Sequence, residues 1–292
     1  MYLDFYQLQL KPFQISTDPR FLWLGEKHDE ALAVLKYAIR DNSGFLLLTG
    51  DVGTGKTTLL NALIHDLDDD VRVALVTDPG LAKLDFFNYV ADAFNLDQTF
   101  RSKGQFLIFM KKFLMGLQRD GKQALLIIDE SQNLTQSMLE EVRLLSNIET
   151  ATTKLINIFF VGQIEFNDII IRPRNRAIRQ RITVNYDISA LNESEIGDYI
   201  RYRLRVAGST EPIFTPDAMS EIYQFSKGYP RLINIICNQA MLTGYVQQKR
   251  QIGSAIVAEC AAELKISGGM AGVHNGAIPE SGKSPAPDQP VP

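Results

Sequence analysis

The sequence predicts an α/β protein: a five-stranded parallel sheet flanked by helices, followed by a small all-helical unit. Three observations predict it. Short apolar runs alternate with helical periodicity from residue 45 to about 187. Strand signals then stop near residue 190, and helical patterns follow one another. Between the first apolar run and the first helical pattern lies a glycine-rich connector, GDVGTGKTT.

The strand candidates are 45–49, 71–77, 123–129, 155–161 and 182–187, each apolar nearly throughout, as expected where helices cover both faces of a sheet. Helical patterns fill the intervals at 56–67, 82–95, 104–118, 136–147 and 164–179, the last broken by Pro173. Four more occupy 193–207, 216–226, 230–248 and 253–265, with GST and GYP as breaks. The expected division is 1–188 for the α/β domain, 189–266 for the helical domain, and 267–292 as a Gly-, Pro- and Ser-rich disordered tail.

With 292 residues, 45% of them hydrophobic, the chain can bury one large core or two modest ones. Thirty-four acidic against thirty basic side chains give a net charge of −4, which argues against coating nucleic acid through bulk charge but leaves a local basic face open. Cys237 and Cys260 lie in no CxxC or Cys/His cluster and read as reduced thiols of a cytoplasmic protein, with a disulfide as the minority reading. His28, His65 and His274 are scattered, so no zinc site is expected. The start, MYLDFYQLQLKPFQ, lacks the pattern of a signal peptide. No apolar run approaches the roughly 18 residues of a membrane span, so the chain is expected to be soluble.

Gly50, Gly55, Lys56 and Thr57 fit G-x-x-x-x-G-K-[ST], with Asp51, Val52, Gly53 and Thr54 between them and Thr58 after. A buried strand before the motif and a helix after it are the context a phosphate cradle needs. Glycines let backbone N–H groups converge on phosphate oxygens, and the helix adds its positive end. Lys56 brings a point charge to the β- and γ-phosphates, and the Thr57 hydroxyl can ligate Mg²⁺. The run ALLIIDES ends a buried strand with Asp129 and Glu130. Asp129 is placed to hold the magnesium through water, and Glu130 to orient and deprotonate an attacking water. The pairing points to hydrolysis rather than binding alone.

In motif order the chain resembles the AAA+ ATPases, and more narrowly the general-secretion-pathway A (ExeA-like) family. The resemblance rests on FYQLQLKPFQISTDPRFLWLG, HDEALAVLKYAI, GDVGTGKTTLL, LLIIDESQNL, FFVGQIEF, IRQRITVNYDISAL and GYPRLINIICNQAM, spanning residues 1 to about 265. It implies a sensor 1 role for Gln163, a sensor 2 role for Arg231 on the helical lid, and an arginine finger at Arg179 or Arg181 that reaches a neighbouring subunit. A solvated basic face and a phosphate-contacting DNA patch remain alternatives for that arginine cluster. Residues 12–28 should fold over adenine, with Phe13 and Phe21 as apolar cover or plain core. Thr77 is a weaker candidate for coupling Glu130 to partner binding.

Longer members of the family continue into a membrane span and a peptidoglycan-binding region, whereas this chain resembles the short forms. The implied function is ATP- and Mg-dependent driving or regulation of a secretion, pilus or exopolysaccharide/envelope machine. The implied state is a nucleotide-dependent homo-oligomer in the cytoplasm, with peripheral attachment to a membrane-bound partner at the inner membrane left open. A transposition-type ATPase that assembles on DNA is the runner-up, disfavoured by the acidic charge balance.

Overall fold

The computed structural model describes residues 2–15, 18–151 and 153–265, so the tail expected to be disordered lies outside the described residues. Helices α1 (Tyr2–Phe5) and α2 (Glu26–Arg40) precede the first strand, β1 (Phe45–Gly50), which leads into α3 (Lys56–His65). Then come β2 (Val71–Val76), α4 (Lys83–Ala93), α5 (Lys103–Arg119), β3 (Gln123–Ile128), α6 (Gln136–Leu145) and β4 (Asn157–Gly162). Helices α7 (Glu165–Ile171) and α8 (Arg176–Arg179) carry the chain to β5 (Ile182–Ile188). After it follow α9 (Glu193–Val206), α10 (Pro216–Ser226), α11 (Pro230–Val246) and α12 (Ser254–Glu263).

All strands pair in parallel in the order β2-β3-β4-β1-β5, so the five-stranded sheet is the one expected. β1 and β4 are buried along their whole length and β3 along all but its first residue. The edge strands, each with a neighbour on one side only, are less buried than expected: β5 alternates partly buried with exposed positions up to the buried Ile188, and β2 is partly buried except for the exposed Arg72 and the buried Ala74 and Val76. One face packs against α4, α5 and α6, with Phe86, Phe87, Phe106 and Met138 fully buried. The other packs against α2 and α3 through Leu35, Ile39, Leu59 and Leu63. Pro173 interrupts the long helical pattern as expected, leaving a 3₁₀ turn at Pro173–Asn175 between α7 and α8. Helix α2 is an addition to the elements read from the sequence.

Local chemistry explains the helical unit. Asn192 and Glu195 exchange side chain-to-backbone hydrogen bonds of 3.0 and 2.8 Å, a capping box that starts α9. Pro216 and Pro230 open α10 and α11 at the position where a missing N–H costs nothing. A third core lies among α9–α12, and Tyr6, Leu8 and Phe13 from the N-terminal segment are built into it beside Ile196, Ile236 and Val257. The N-terminal residues thus pack on the helical unit rather than on the sheet. No helix among the described residues is long and apolar enough to cross a membrane.

Gly228 closes the turn between α10 and α11 with φ of 81°, and a β-carbon there would fall 1.8 Å from the Leu191 carbonyl oxygen. Backbone against backbone cannot yield cheaply. Gly228→Ala is expected to cost about 3 kcal/mol or more, read as a lowered urea midpoint with unchanged slope.

Candidate functional site

At the end of β1 the chain turns through residues 50–55 into α3. Gly53 and Gly55 take φ of 85° and 100°, the left-handed region in which a β-carbon is strained. Gly50 is needed for another reason: a β-carbon there would lie 2.7 Å from the Ile188 carbonyl oxygen. This turn presents the N-terminal end of α3, where unpaired N–H groups and the helix dipole favour an anion. Lys56 is buried, and its ammonium donates to the carbonyls of Gly50 at 2.8 Å and Asp51 at 2.9 Å. Burial pushes its pKa down, opposed by the carboxylates of Glu130, Asp129, Asp51 and Glu165. The charge therefore waits on backbone dipoles that a phosphate group can replace.

Asp129 follows β3, and its Oδ1 accepts the Glu130 N–H at 2.8 Å. Burial raises its pKa, with that hydrogen bond and Lys56 pulling the other way and Glu130 adding to the rise. Glu130 itself sits at φ 50°, an uncommon conformation for a non-glycine residue. That twist turns its carboxylate into a cavity of about 390 Å³ shared with Lys56, Thr57, Thr58 and Gln163. Among the described residues no group of three or more His, Cys, Asp or Glu could hold a metal ion alone. Thr57 and Asp129 could supply one or two oxygens, which suits Mg²⁺ because it takes its remaining ligands from phosphate and water.

The volume is that of a small-molecule pocket. Opposite the loop it is walled by Tyr199, Arg203, Pro230, Arg231 and Asn234 of the helical unit. The lid also touches the loop directly. The Tyr229 hydroxyl donates to Asp51 Oδ2 at 2.7 Å, and the Arg231 N–H donates to the Gly53 carbonyl at 3.3 Å. A β-carbon on Gly53 would lie 3.0 Å from Cβ of Arg231, so the contact is close.

The N-terminal strap forms the remaining wall, and Arg203 holds it there. Its guanidinium donates to the carbonyls of Pro12 at 2.6 Å and Gln14 at 3.3 Å, and to the Tyr199 hydroxyl at 3.1 Å. The same group lies 5.0 Å over the Phe21 ring, and the Tyr199 hydroxyl donates to Asn234 Oδ1 at 2.9 Å. Phe21, also part of the helical core, lines the cavity. Phe13 does not: it is 1% exposed and edge-on to Phe214, 5.8 Å between centroids, because the helical core claims its ring.

Lys56, Thr57, Thr58, Glu130, Gln163 and Arg231 are thus brought to one cavity, with Gly53, Thr54 and Gly55 forming its loop and Val52 at its edge. Arg179 and Arg181 stay apart from it. The exposed Arg179 donates to the Ile171 carbonyl at 3.1 Å. Arg181 donates to Ser146 Oγ at 2.7 Å and Asn147 Oδ1 at 2.8 Å, closing the C-terminal end of α6. Thr77 shares a hydrogen bond of 2.9 Å with the Tyr89 hydroxyl, and Glu130 is held by Gln132 and Gln163 instead. Sequence reasoning missed Tyr199, Arg203, Asn234 and Gln132. The spacing of Tyr199 and Arg203 by four, on one face of α9, was the available signal.

A parallel sheet of this order, a phosphate loop after its first strand, two acids ending β3 and a helical lid are the features of an AAA+-type nucleotide-binding fold. The AAA domain family matches residues 39–170. The general secretion pathway protein A of Aeromonas hydrophila is 37% identical over 266 residues, covering 90% of this chain and 48% of that protein. The chain thus carries an AAA domain match over residues 39–170 and is similar to that protein, spanning about half its length. In fold it is similar to the ORC2 protein of Aeropyrum pernix, with a TM-score of 0.67 at 17% identity over 87% of this chain and 71% of the other. Cdc6p from Pyrobaculum aerophilum gives 0.63 at 19% identity over 86% and 70%, and the RuvB branch migration motor of Thermotoga maritima 0.55 at 16% over 84% and 71%.

Two outcomes follow from the site's packing. Phe13→Ala is expected to lose about 3–5 kcal/mol of stability in urea unfolding while ATP affinity at saturating fold stays within about twofold. His28, buried beside the loop, has its pKa pushed down by burial, with a backbone hydrogen bond at Thr54 and the charges of Glu195 and Asp29 opposing. Below about pH 6.5 the unfolded histidine takes a proton that the folded one refuses, so stability falls as pH drops through that window. His28→Gln should show a shallower fall between pH 7 and 5 in denaturant titrations.

Proposed function

We propose that the protein binds and hydrolyses ATP with Mg²⁺, and that this cycle drives or regulates a secretion or envelope-assembly machine. The observation that carries the chemistry is the convergence of Lys56, Thr57, Glu130 and Gln163 on one cavity beneath the lid. In this reading the loop amides and Lys56 hold the β- and γ-phosphates, and Thr57 and Asp129 hold the metal. The metal, when bound, would neutralise charge on the phosphate oxygens. Glu130 accepts a proton from the attacking water, Gln163 contacts the γ-phosphate end, and Arg231 makes lid position depend on the nucleotide. Nucleotide complexes of the ORC2 relative support the binding step.

The secretion role is supported by the 37% identical relative, whose name assigns it to a general secretion pathway, and a membrane-bound partner is part of this proposal. A cytoplasmic location with attachment at the inner membrane fits that partner. Assembly of several copies would bring an arginine of one subunit to the nucleotide of the next. Arg179 is the better finger, because Arg181 is engaged at the end of α6.

A DNA-dependent reading is kept open by one observation: Arg172, Arg174, Arg176 and Arg179 are all exposed around α8. Drosophila ORC, a fold relative at 16% identity, is solved bound to DNA. Tight duplex binding that weakens steeply with salt would favour this reading, and its absence the secretion reading.

Calorimetry and phosphate release test the enzyme assignment together. Glu130→Gln is expected to bind ATP as wild type does but to lose about 10²-fold or more in kcat. Lys56→Ala is expected to lose measurable binding. Equal turnover by wild type and Glu130→Gln would remove the hydrolase reading.

A further inference from the structure

The carboxylate of Glu130 does not stand alone. Gln132, two residues on in the 3₁₀ turn Ser131–Asn133, donates through Nε2 to Glu130 Oε2. Its other end, Oε1, accepts the backbone N–H of Gln163 at 2.9 Å. The Gln163 side-chain amide comes within 3.5 Å of the same Glu130 oxygen. One side chain therefore spans from the acid after β3 to the residue after β4. Gly162 leaves the room for it: a β-carbon there would stand 3.1 Å from Gln132 Oε1.

We propose that Gln132 is a positioning residue for hydrolysis, a bracket that fixes the Glu130 carboxylate relative to Gln163. This rests on the hydrolase reading above.

The chemistry selects glutamine. The backbone N–H of Gln163 requires an acceptor and the Glu130 carboxylate requires a donor, and a primary amide carries both in one rigid plane. Glutamate would set a second negative charge against Glu130. Lysine or arginine would offer no acceptor and would neutralise the base with a salt bridge. With Oε2 taken by amide donors, Oε1 of Glu130 is left to receive the proton of a water in the cavity. The αL backbone at Glu130 brings the donor and the carboxylate of neighbouring residues onto one side, so the strained conformation has a use. A carboxylate held in one rotamer spends more of its time in the reactive orientation than one free to rotate, and that gain appears in kcat.

The test compares steady-state ATP hydrolysis and ATP affinity for wild type, Glu130→Gln, Gln132→Ala, Gln132→Glu, Gln163→Ala and the Gln132→Ala/Gln163→Ala pair. Gln132→Ala is expected to lower kcat about tenfold or more with the ATP dissociation constant within about twofold of wild type and an unchanged thermal midpoint. Gln132→Glu should be at least as slow, since it keeps the acceptor and loses the donor. The double variant should be no slower than the slower single one, because the two glutamines act as a unit. Wild-type kcat in Gln132→Ala, a raised kcat, additive losses, or a loss confined to ATP affinity would each overturn the bracket. If Gln132→Ala fails to fold, the comparison of Gln132→Glu with wild type decides alone: equal kcat overturns the proposal. Turnover in wild type but not in Glu130→Gln, with Gln132→Ala unimpaired, would sink the bracket and leave the hydrolase reading standing. Absence of Mg²⁺-dependent turnover in wild type would sink both.

Discussion

The site depends on how closely the start of α11 approaches the phosphate loop. Gly53 and Arg231 come within contact distance, Tyr229 bonds Asp51, and Gly228 lets the chain pass Leu191 at a spacing closed to any other residue. These contacts use the same loop whose carbonyls occupy Lys56. Any movement that frees the ammonium for phosphate therefore acts on groups the lid also touches. Lid and loop share one polar network, and the cavity exists because the two surfaces meet there.

Burial sets the electrostatics of that network. Lys56 and Asp129 are both displaced toward their neutral forms by desolvation, while each opposes the shift in the other. A polyanion with its metal would relieve both at once: phosphate favours the charged lysine and the cation favours the charged aspartate. In the proposed reading, the two buried groups would suit a ligand that carries both signs of charge, Lys56 from the cavity wall and Asp129 from beside it.

Much of this was legible in the residues. Strand-length apolar runs separated by helical periodicity identify the sheet, and the loop and the paired acids point to the chemistry proposed, because each depends on local spacing. The edge strands were less legible, since exposure along β2 and β5 reflects how many neighbours a strand has rather than its own composition. Phe13 and Phe21 show the limit well. Both are aromatic, eight residues apart on the same strap and part of the helical core, yet only Phe21 also reaches the cavity, a choice made by tertiary packing. Gln132 was invisible for a similar reason: its partner Gln163 is thirty-one positions away, and only the adjacency of β3 and β4 unites them.

Arg203 joins the strap to α9 through two hydrogen bonds, both to main-chain carbonyls that carry no sequence information, and a third holds it to Tyr199 on its own helix. The strap is also a wall of the cavity, so a molecule seated inside would be bounded by a segment held by that guanidinium, by the Tyr202 hydroxyl on the Arg20 carbonyl at 3.1 Å and by Phe13 in the helical core. Exchange of that molecule would then depend on the packing of the strap against α9 as well as on the loop and the lid.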